Sequence, residues 1–535
     1  MTTSRFHTPG QGQPSSPRWN LRRLNDTNPL WGSNGTAFGP DGRLYVAQFL
    51  AGQISAVDIA TGDVEIVVPL DSPVQTPDDL AFAGDGTMYI ADIAPSRVWR
   101  RSTAGEYALL TETVRQPNGI TCVGDRLFVN EMRPGGRLFE VFPDGSEPKL
   151  LTGGLALGNA MQLGPDGKLY YPHMMDRQVW RIPPEGGQPE LVAEDLDAPV
   201  AVRFDRGGEL RVLSCGPHGV ITRIDQDSGE RSLIRTGLAG LDNAAFDAEN
   251  RMYVSSFAHG GITEVHEDGR TRDIVRRGMN GPFGVTADRS GTVFATDHFS
   301  LVSTGDSGEV TPVDVATASL PTYVRTVAAD GDVLQLTTAR GEVYTYDPRQ
   351  KSSRVRARGL GEPAGIAVAP DGRVVVAVPG SGQVLAFDED DAVTVLAEDL
   401  PAPVGVAVTA DGTCYTTDER LGSLLRLDAD GPVAVCDGLL APQGLAATGG
   451  ALYVVETGRR RLLRVHPQDG AVEVEAEELA VGLPPGIERD EPVVTDGFIG
   501  RPRSFADLSA GPDGGLLVAA NGEGSVLRLE PRGTA

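Results

Sequence analysis

Cysteine, histidine and aromatic residues are all scarce in this chain. Four cysteines and seven histidines stand among 535 residues, and Phe, Trp and Tyr together make up 6%. Cys122, Cys215, Cys414 and Cys436 contain no Cys-x-x-Cys pair, so neither a disulfide framework nor a thiolate zinc site is expected. No stretch approaches the 18 or so uninterrupted apolar residues of a membrane-spanning helix. The opening segment, MTTSRFHTPGQGQPSSP, lacks an apolar core and does not read as a secretory signal, so residues 1–18 are expected to form a flexible tail. Positive charge is also short. Lys and Arg number 47 against 73 Asp and Glu, a net charge of −26, which argues against nucleic-acid or anionic-membrane partners. A cytoplasmic protein acting on a small molecule is the expectation from these absences.

What the chain has in quantity is turn chemistry. It carries 67 Gly and 38 Pro with an apolar fraction of 40%, a combination that suits a folded protein with very frequent reversals. Residues 363–400 show the unit. Gly365–Ala369, Arg373–Val378, Gln383–Asp388 and Ala392–Ala397 read as four short strands, separated by Pro370-Asp371-Gly372, Pro379-Gly380-Ser381-Gly382 and an acidic turn at Asp388–Asp391. Such a unit alone leaves apolar faces in water and needs copies beside it.

Twelve copies are present. The residue six positions before the Pro of Pro-Asp-Gly, or its equivalent, falls on Asn34, Asp78, Asn118, Asn159, Val200, Asp242, Phe283, Tyr323, Ala364, Val404, Gln443 and Ala506. A period near 40 with four strands per unit is the signature of β-propeller blades. The expected fold is therefore all-β, with twelve four-stranded blades. Because propellers carry roughly four to eight blades, two six-bladed propellers in tandem are favoured over a single twelve-bladed ring. The expected division is 19–269 and 270–535, with Trp19–Leu24 closing the sixth blade and Arg272–Arg276 the twelfth. One repeat is longer, through an insertion near 480–504 between Gln443 and Ala506.

Since the first strand of a blade lines the central channel, the twelve positions define two rings of side chains. The first ring holds Asn34, Asp78, Asn118, Asn159 and Asp242, broken only by Val200, whereas the second is mostly apolar. Amide and carboxylate oxygens converging on one axis suit a hard cation, one Ca²⁺ or Mg²⁺, and two carboxylates match its charge. A water-filled polar channel is the alternative. At the same end of the first channel, the second strands place Gln48, Asp92, Asn130, Glu131, His173, Cys215, Ser256, Phe257 and His259, of which Glu131 and His173 are candidates for proton transfer. In the second half, Asp297-His298 is the one pair of comparable character.

The motifs Ser33-Asn34-Gly35, Pro77-Asp78-Asp79-Leu80 and Pro117-Asn118-Gly119-Ile120, set beside strands such as Leu44-Tyr45-Val46-Ala47, resemble the SMP-30/gluconolactonase/LRE-like superfamily, whose blade grammar NHL-type propellers share. The resemblance implies a six-bladed propeller with one axial divalent cation held by a Glu, two Asn and an Asp, the Asp also serving as base in lactone hydrolysis. Asn118 and Asn159 match the asparagine pair. The chain departs from the pattern at Val200, where the aspartate would stand, and at Asn34, where the glutamate would stand; its carboxylates are Asp78 and Asp242. The expected function is thus a metal-dependent, lactonase-like hydrolase acting on a small lactone or ester at the first axis. Asn34, Asp78, Asn118, Asn159 and Asp242 are the expected ligands, and Asp242 is the expected base, with Glu131 and His173 as alternates. A lyase or cyclase, or a non-catalytic binding propeller, are the alternative functions.

Overall fold

A computed structural model describes residues 13–532 except 306–307, 485–486, 488–493, 496–497 and 501–502. Among the described residues it contains twelve four-stranded antiparallel sheets, one two-stranded sheet and a single short 3₁₀ helix, Thr457–Arg459. No helix there is long and apolar enough to cross a membrane, and all four cysteines are free. The ninth blade shows how closely turn chemistry fixes the strands: they run Ile366–Val368, Val374–Val378, Gln383–Phe387 and Val393–Ala397. Gly372 takes φ 85° in the first reversal, a conformation that costs a residue with a Cβ.

Each blade buries both faces against its neighbours. Tyr45, Ala47 and Ile54 of blade one pack on Leu80, Met88 and Ile90 of blade two. The other face of blade one, Leu44, Val46 and Val57, packs on Tyr253, Ile262 and Val275 of blade six. Val285, Val293 and Ala295 of blade seven likewise meet Leu517, Ala519 and Val526 of blade twelve. The innermost strands make the same neighbour contacts, blade one to six and blade seven to twelve. Inner strands approach closely enough that a Cβ added at Gly119 would lie 2.1 Å from the Asn159 carbonyl oxygen. Glycine after the channel residue is therefore a steric requirement of convergence.

Closure of the two outermost edges differs from the sequence expectation. The sixth sheet is completed by its own fourth strand, Thr271–Val275, and Trp19–Arg23 instead pairs with Ser525–Pro531 to complete the twelfth. The division at 269/270 thus runs through the sixth blade, and the N-terminal strand belongs with the last. Long-range partners decide it. Trp19 Nε1 donates to Glu475 Oε2 at 2.7 Å, its ring stands edge-on to Tyr453, and Arg23 Nε and Nη2 donate to the buried Glu523 at 2.7 and 3.0 Å. The expected flexible tail is also shorter than 1–18, because Ser15 exchanges backbone hydrogen bonds with Glu477 and Arg18 bridges Glu475 at 2.8 Å. Residues 1–12 and about half of the 480–504 insertion lie outside the described residues.

Candidate active site on the first axis

The inner strands of the first six blades begin or end at the channel, and a β-irregularity near the channel end of several turns one side chain inward. Asn34, Asp78, Asn118, Asn159, Val200 and Asp242 all line one cavity of about 180 Å³. All six are buried. Asn118 Nδ2 donates to Asp78 Oδ1 at 2.8 Å and Asn34 Nδ2 to Asp78 Oδ2 at 3.4 Å. Asn159 turns its Oδ1 back to accept from the Ala160 N–H at 2.6 Å, and its Nδ2 lies 3.3 Å from the Met174 sulfur. Asn34 Oδ1 and Asn118 Oδ1 are buried without a hydrogen-bond partner among the described residues. A buried acceptor left unpaired costs roughly 1–3 kcal/mol, so two at one cavity mark a place for a ligand or ion.

The two carboxylates are both strained as anions. Burial, and then repulsion from Asp79, push Asp78 up to about 8. Burial, Asp78 and Asp79 push Asp242 well above the ordinary range, opposed by Arg203. Unlike Asp78, Asp242 receives no hydrogen bond from any described residue, so its oxygens are available to the cavity.

A layer beneath was not anticipated. Asp79 accepts from the N–H groups of Leu80 (2.9 Å) and Ile120 (3.3 Å) and from Asn243 Nδ2 (3.3 Å). Arg203 is fully enclosed, donating to the carbonyls of Ala244, Met161 and Val202 at 2.9, 3.0 and 2.9 Å. Burial raises Asp79 to about 6 even though the Arg203 charge and the hydrogen bonds that Asp79 accepts oppose the shift. The sequence signal was present: the position after the channel residue is Gly or Ala in four of the first six blades, and Asp79 and Asn243 break that rule.

Glu131 and His173, the alternate bases, do not line the cavity. Glu131 is saturated by the Arg115 and Arg137 N–H groups (2.8 and 3.1 Å) and the Arg137 guanidinium (2.7 and 3.1 Å). His173 lies between the Tyr171 and Trp180 rings, with burial lowering its pKa. Asp92 is held by Thr76, Gln75 and Trp99, and Asn130 by Gly119 and the Asn159 carbonyl, so both fix loops. Gln48 bonds Trp31 N and Ser55, and Ser256 bonds the Ala239 carbonyl. His259 is buried, and its pKa is lowered to about 4 by burial. Cys215 and Phe257, by contrast, do line the cavity.

The second axis needs a correction at blade eight. Val324 pairs Thr338 as Pro117 pairs Glu131, which makes Arg325, two residues beyond Tyr323, the channel residue. The turn there is Asp330-Gly331 without Pro, and this shifted the alignment. Tyr323 instead occupies the left-handed position before the strand, φ 61°. The second channel is therefore not wholly apolar, although Phe283, Ala364 and Val404 do pack together around Phe505.

The donor set at the first axis, two carboxylates with unpaired amide oxygens, fits a hard divalent cation by chemistry. No group of three or more His, Cys, Asp or Glu side chains placed to hold a metal occurs among the described residues.

No family model matches the chain. A segment of 154 residues is 30% identical to a gluconolactonase from Zymomonas mobilis subsp. mobilis (strain ATCC 31821 / ZM4 / CP4). That segment is what the chain shares with a known enzyme. That segment is 28% of the chain and spans about a third, 36%, of the relative's length. Among solved structures, a streptogramin B lyase is 19% identical, covering 52% of this chain and 94% of its own, with a TM-score of 0.39. A gluconolactonase from Xanthomonas campestris is 16% identical, covering 46% and 93%, with a TM-score of 0.38.

Proposed function

We propose that the first six blades form a hydrolase site of the lactonase type, opening small cyclic esters at their axis with the help of one divalent cation. The observation that carries this reading is the pairing of Asp242, a buried carboxylate with no donor, with the unpaired Asn34 and Asn118 oxygens across one cavity. The gluconolactonase relative supports the reaction class. Asn34, Asp78, Asn118 and Asp242 would hold the cation, with Asn159 beside them. When bound, the cation would draw electron density from the substrate carbonyl and acidify water.

The chain's own residues supply the rest. The Asn34 and Asn118 amides fix one side of the site, and Asp78 is oriented by the donors it receives from both. Asp242 takes a proton from the attacking water as its oxygen bonds to the acyl carbon, then returns it to the ring oxygen as the acyl C–O bond breaks. The product is the hydroxy acid. Val200 leaves an apolar gap next to Asp242 through which the substrate carbonyl approaches.

Cation dependence is the test. Chelator-treated protein should lose hydrolysis of its preferred lactone, and millimolar Ca²⁺ or Mg²⁺ should restore it and raise Tm by mass action. Full activity and an unchanged Tm with excess chelator would overturn the cation.

A further inference from the structure

The cavity of the first axis is not closed by the first six blades alone. Phe299, Thr317 and Tyr323, from blades seven and eight, line it as well. Phe299 reaches it from a tight turn fixed by Asp297, which accepts from the Asn280 N–H at 2.9 Å and from Ser300 N and Oγ at 3.1 and 2.5 Å. His298 holds the left-handed position of that turn, φ 71°, and donates its backbone N–H to the Val324 carbonyl at 3.1 Å. The Phe299 ring then stands edge-on to Phe257 (centroids 5.1 Å), 6.2 Å from Phe49 and 5.7 Å from Tyr323. The Asp297-His298 pair that stands out in the sequence is thus a support for an aromatic canopy over the neighbouring axis.

Floor and walls differ in chemistry. All the carboxylate and amide groups lie on the ring of channel residues. Above them the walls are mostly carbon and sulfur, from Phe49, Met132, Met174, Phe257 and Phe299 with Cys215 beside Val200, and only Thr317 and Tyr323 add hydroxyls. A polyhydroxylated sugar lactone placed here would bury most of its hydroxyls against apolar side chains, with Thr317 and Tyr323 as the few wall partners, at roughly 1–3 kcal/mol for each group left unpaired. A lactone with a hydrocarbon substituent against the canopy places no hydroxyl on that apolar wall. The volume, about 180 Å³, lies below the roughly 300 Å³ at which pockets for drug-sized ligands begin.

We infer that the substrate is a small lactone or ester bearing an apolar, alkyl or aryl substituent, and that blades seven and eight select it through Phe299 and Tyr323. The inference rests on the hydrolase reading of the site, and binding and turnover separate the two. The probes are 2-pentylcyclopentanone, which cannot be hydrolysed, and glucono-δ-lactam, its polyhydroxylated counterpart, each titrated calorimetrically into the full chain. The alkyl ketone should bind and the lactam should not. Phe299→Ala should weaken the ketone at least tenfold, and Phe299→Leu, which keeps an apolar wall, should hold most of the affinity. Tighter binding of the lactam, no binding of the ketone, or an unchanged affinity in Phe299→Ala would each overturn the inference. Hydrolysis of δ-decalactone and of glucono-δ-lactone is measured beside it. Ketone binding without turnover of any lactone would sustain the apolar site and refute the hydrolase reading. Turnover of the sugar lactone alone would do the reverse.

Discussion

At the scale of single residues, burial sets most of the chemistry. His298 is enclosed by the Phe283, Phe299 and Tyr323 rings, and burial, with Arg325 and Arg340 nearby, lowers it to about 3. In the unfolded chain it titrates near 6.5. Between those values the unfolded state binds more protons than the native one, so this residue's contribution to stability is complete above pH 6.5 and is lost as the pH falls. The adjacent Asp297, raised to about 7 by burial, acts with opposite sign, because the native carboxyl keeps a proton that the unfolded one releases above about 4. The two are separated by His298→Asn, which tolerates the left-handed backbone and does not titrate. Against wild type, the unfolding free energy from denaturant titrations between pH 4.5 and 7 should fall less steeply toward acid in the variant, by about 2 kcal/mol over two pH units. Parallel profiles would show that His298 is not held neutral.

The channel asparagines and aspartates were legible because a 40-residue period puts equivalent side chains on one axis. Asp79 left a trace, a charged residue where Gly or Ala usually follows the channel residue, but Arg203, deeper in its strand, left none. Nothing in the local sequence separates Glu131 from a catalytic carboxylate. Its fate is decided by Arg137, six residues away across a hairpin.

At the scale of elements, the strands follow their turns to within a residue or two, so the repeat was readable throughout. Which blade receives the first strand was not. Both open outer edges offer the same ladder of backbone groups, and the choice rests on Trp19 meeting Glu475 and Tyr453, more than 430 positions along the chain. The arrangement predicts a particular dissection. A cut between 275 and 281 should leave the fragments associated, because the first carries the last blade's outer strand. Removing residues 1–24 should instead lower the melting temperature of the last six blades and leave the first six unchanged. Trp19→Ala should produce a smaller loss in the same unit, about 3 kcal/mol for a buried Trp. Differential scanning calorimetry on the three proteins would show it, and destabilisation of the first six blades instead would refute the strand assignment.

At the scale of the whole molecule, twelve similar blades have diverged in their channel residues. The first six place polar groups at the axis. The last six close theirs around Phe505 with Arg325 buried beside it, its Nη2 donating to the Arg503 carbonyl at 3.2 Å. Blades seven and eight then turn Phe299 and Tyr323 toward the other axis. On the proposed reading, the chemistry belongs to the first six blades and a selecting wall to blades seven and eight, with Asp297 and His298 as supports of that wall.

The central claim is that Asp242 is the proton acceptor at the first axis. The most direct measurement is kcat for hydrolysis of the best lactone substrate by wild type and Asp242→Asn, at saturating Ca²⁺ or Mg²⁺ and pH 7.5. The asparagine keeps an oxygen at the cavity and removes the base. The account predicts a loss of kcat on the order of 10²- to 10⁴-fold, the usual worth of a positioned general base, with binding of 2-pentylcyclopentanone retained. An Asp242→Asn protein that binds the ketone and turns over at the wild-type rate would contradict it.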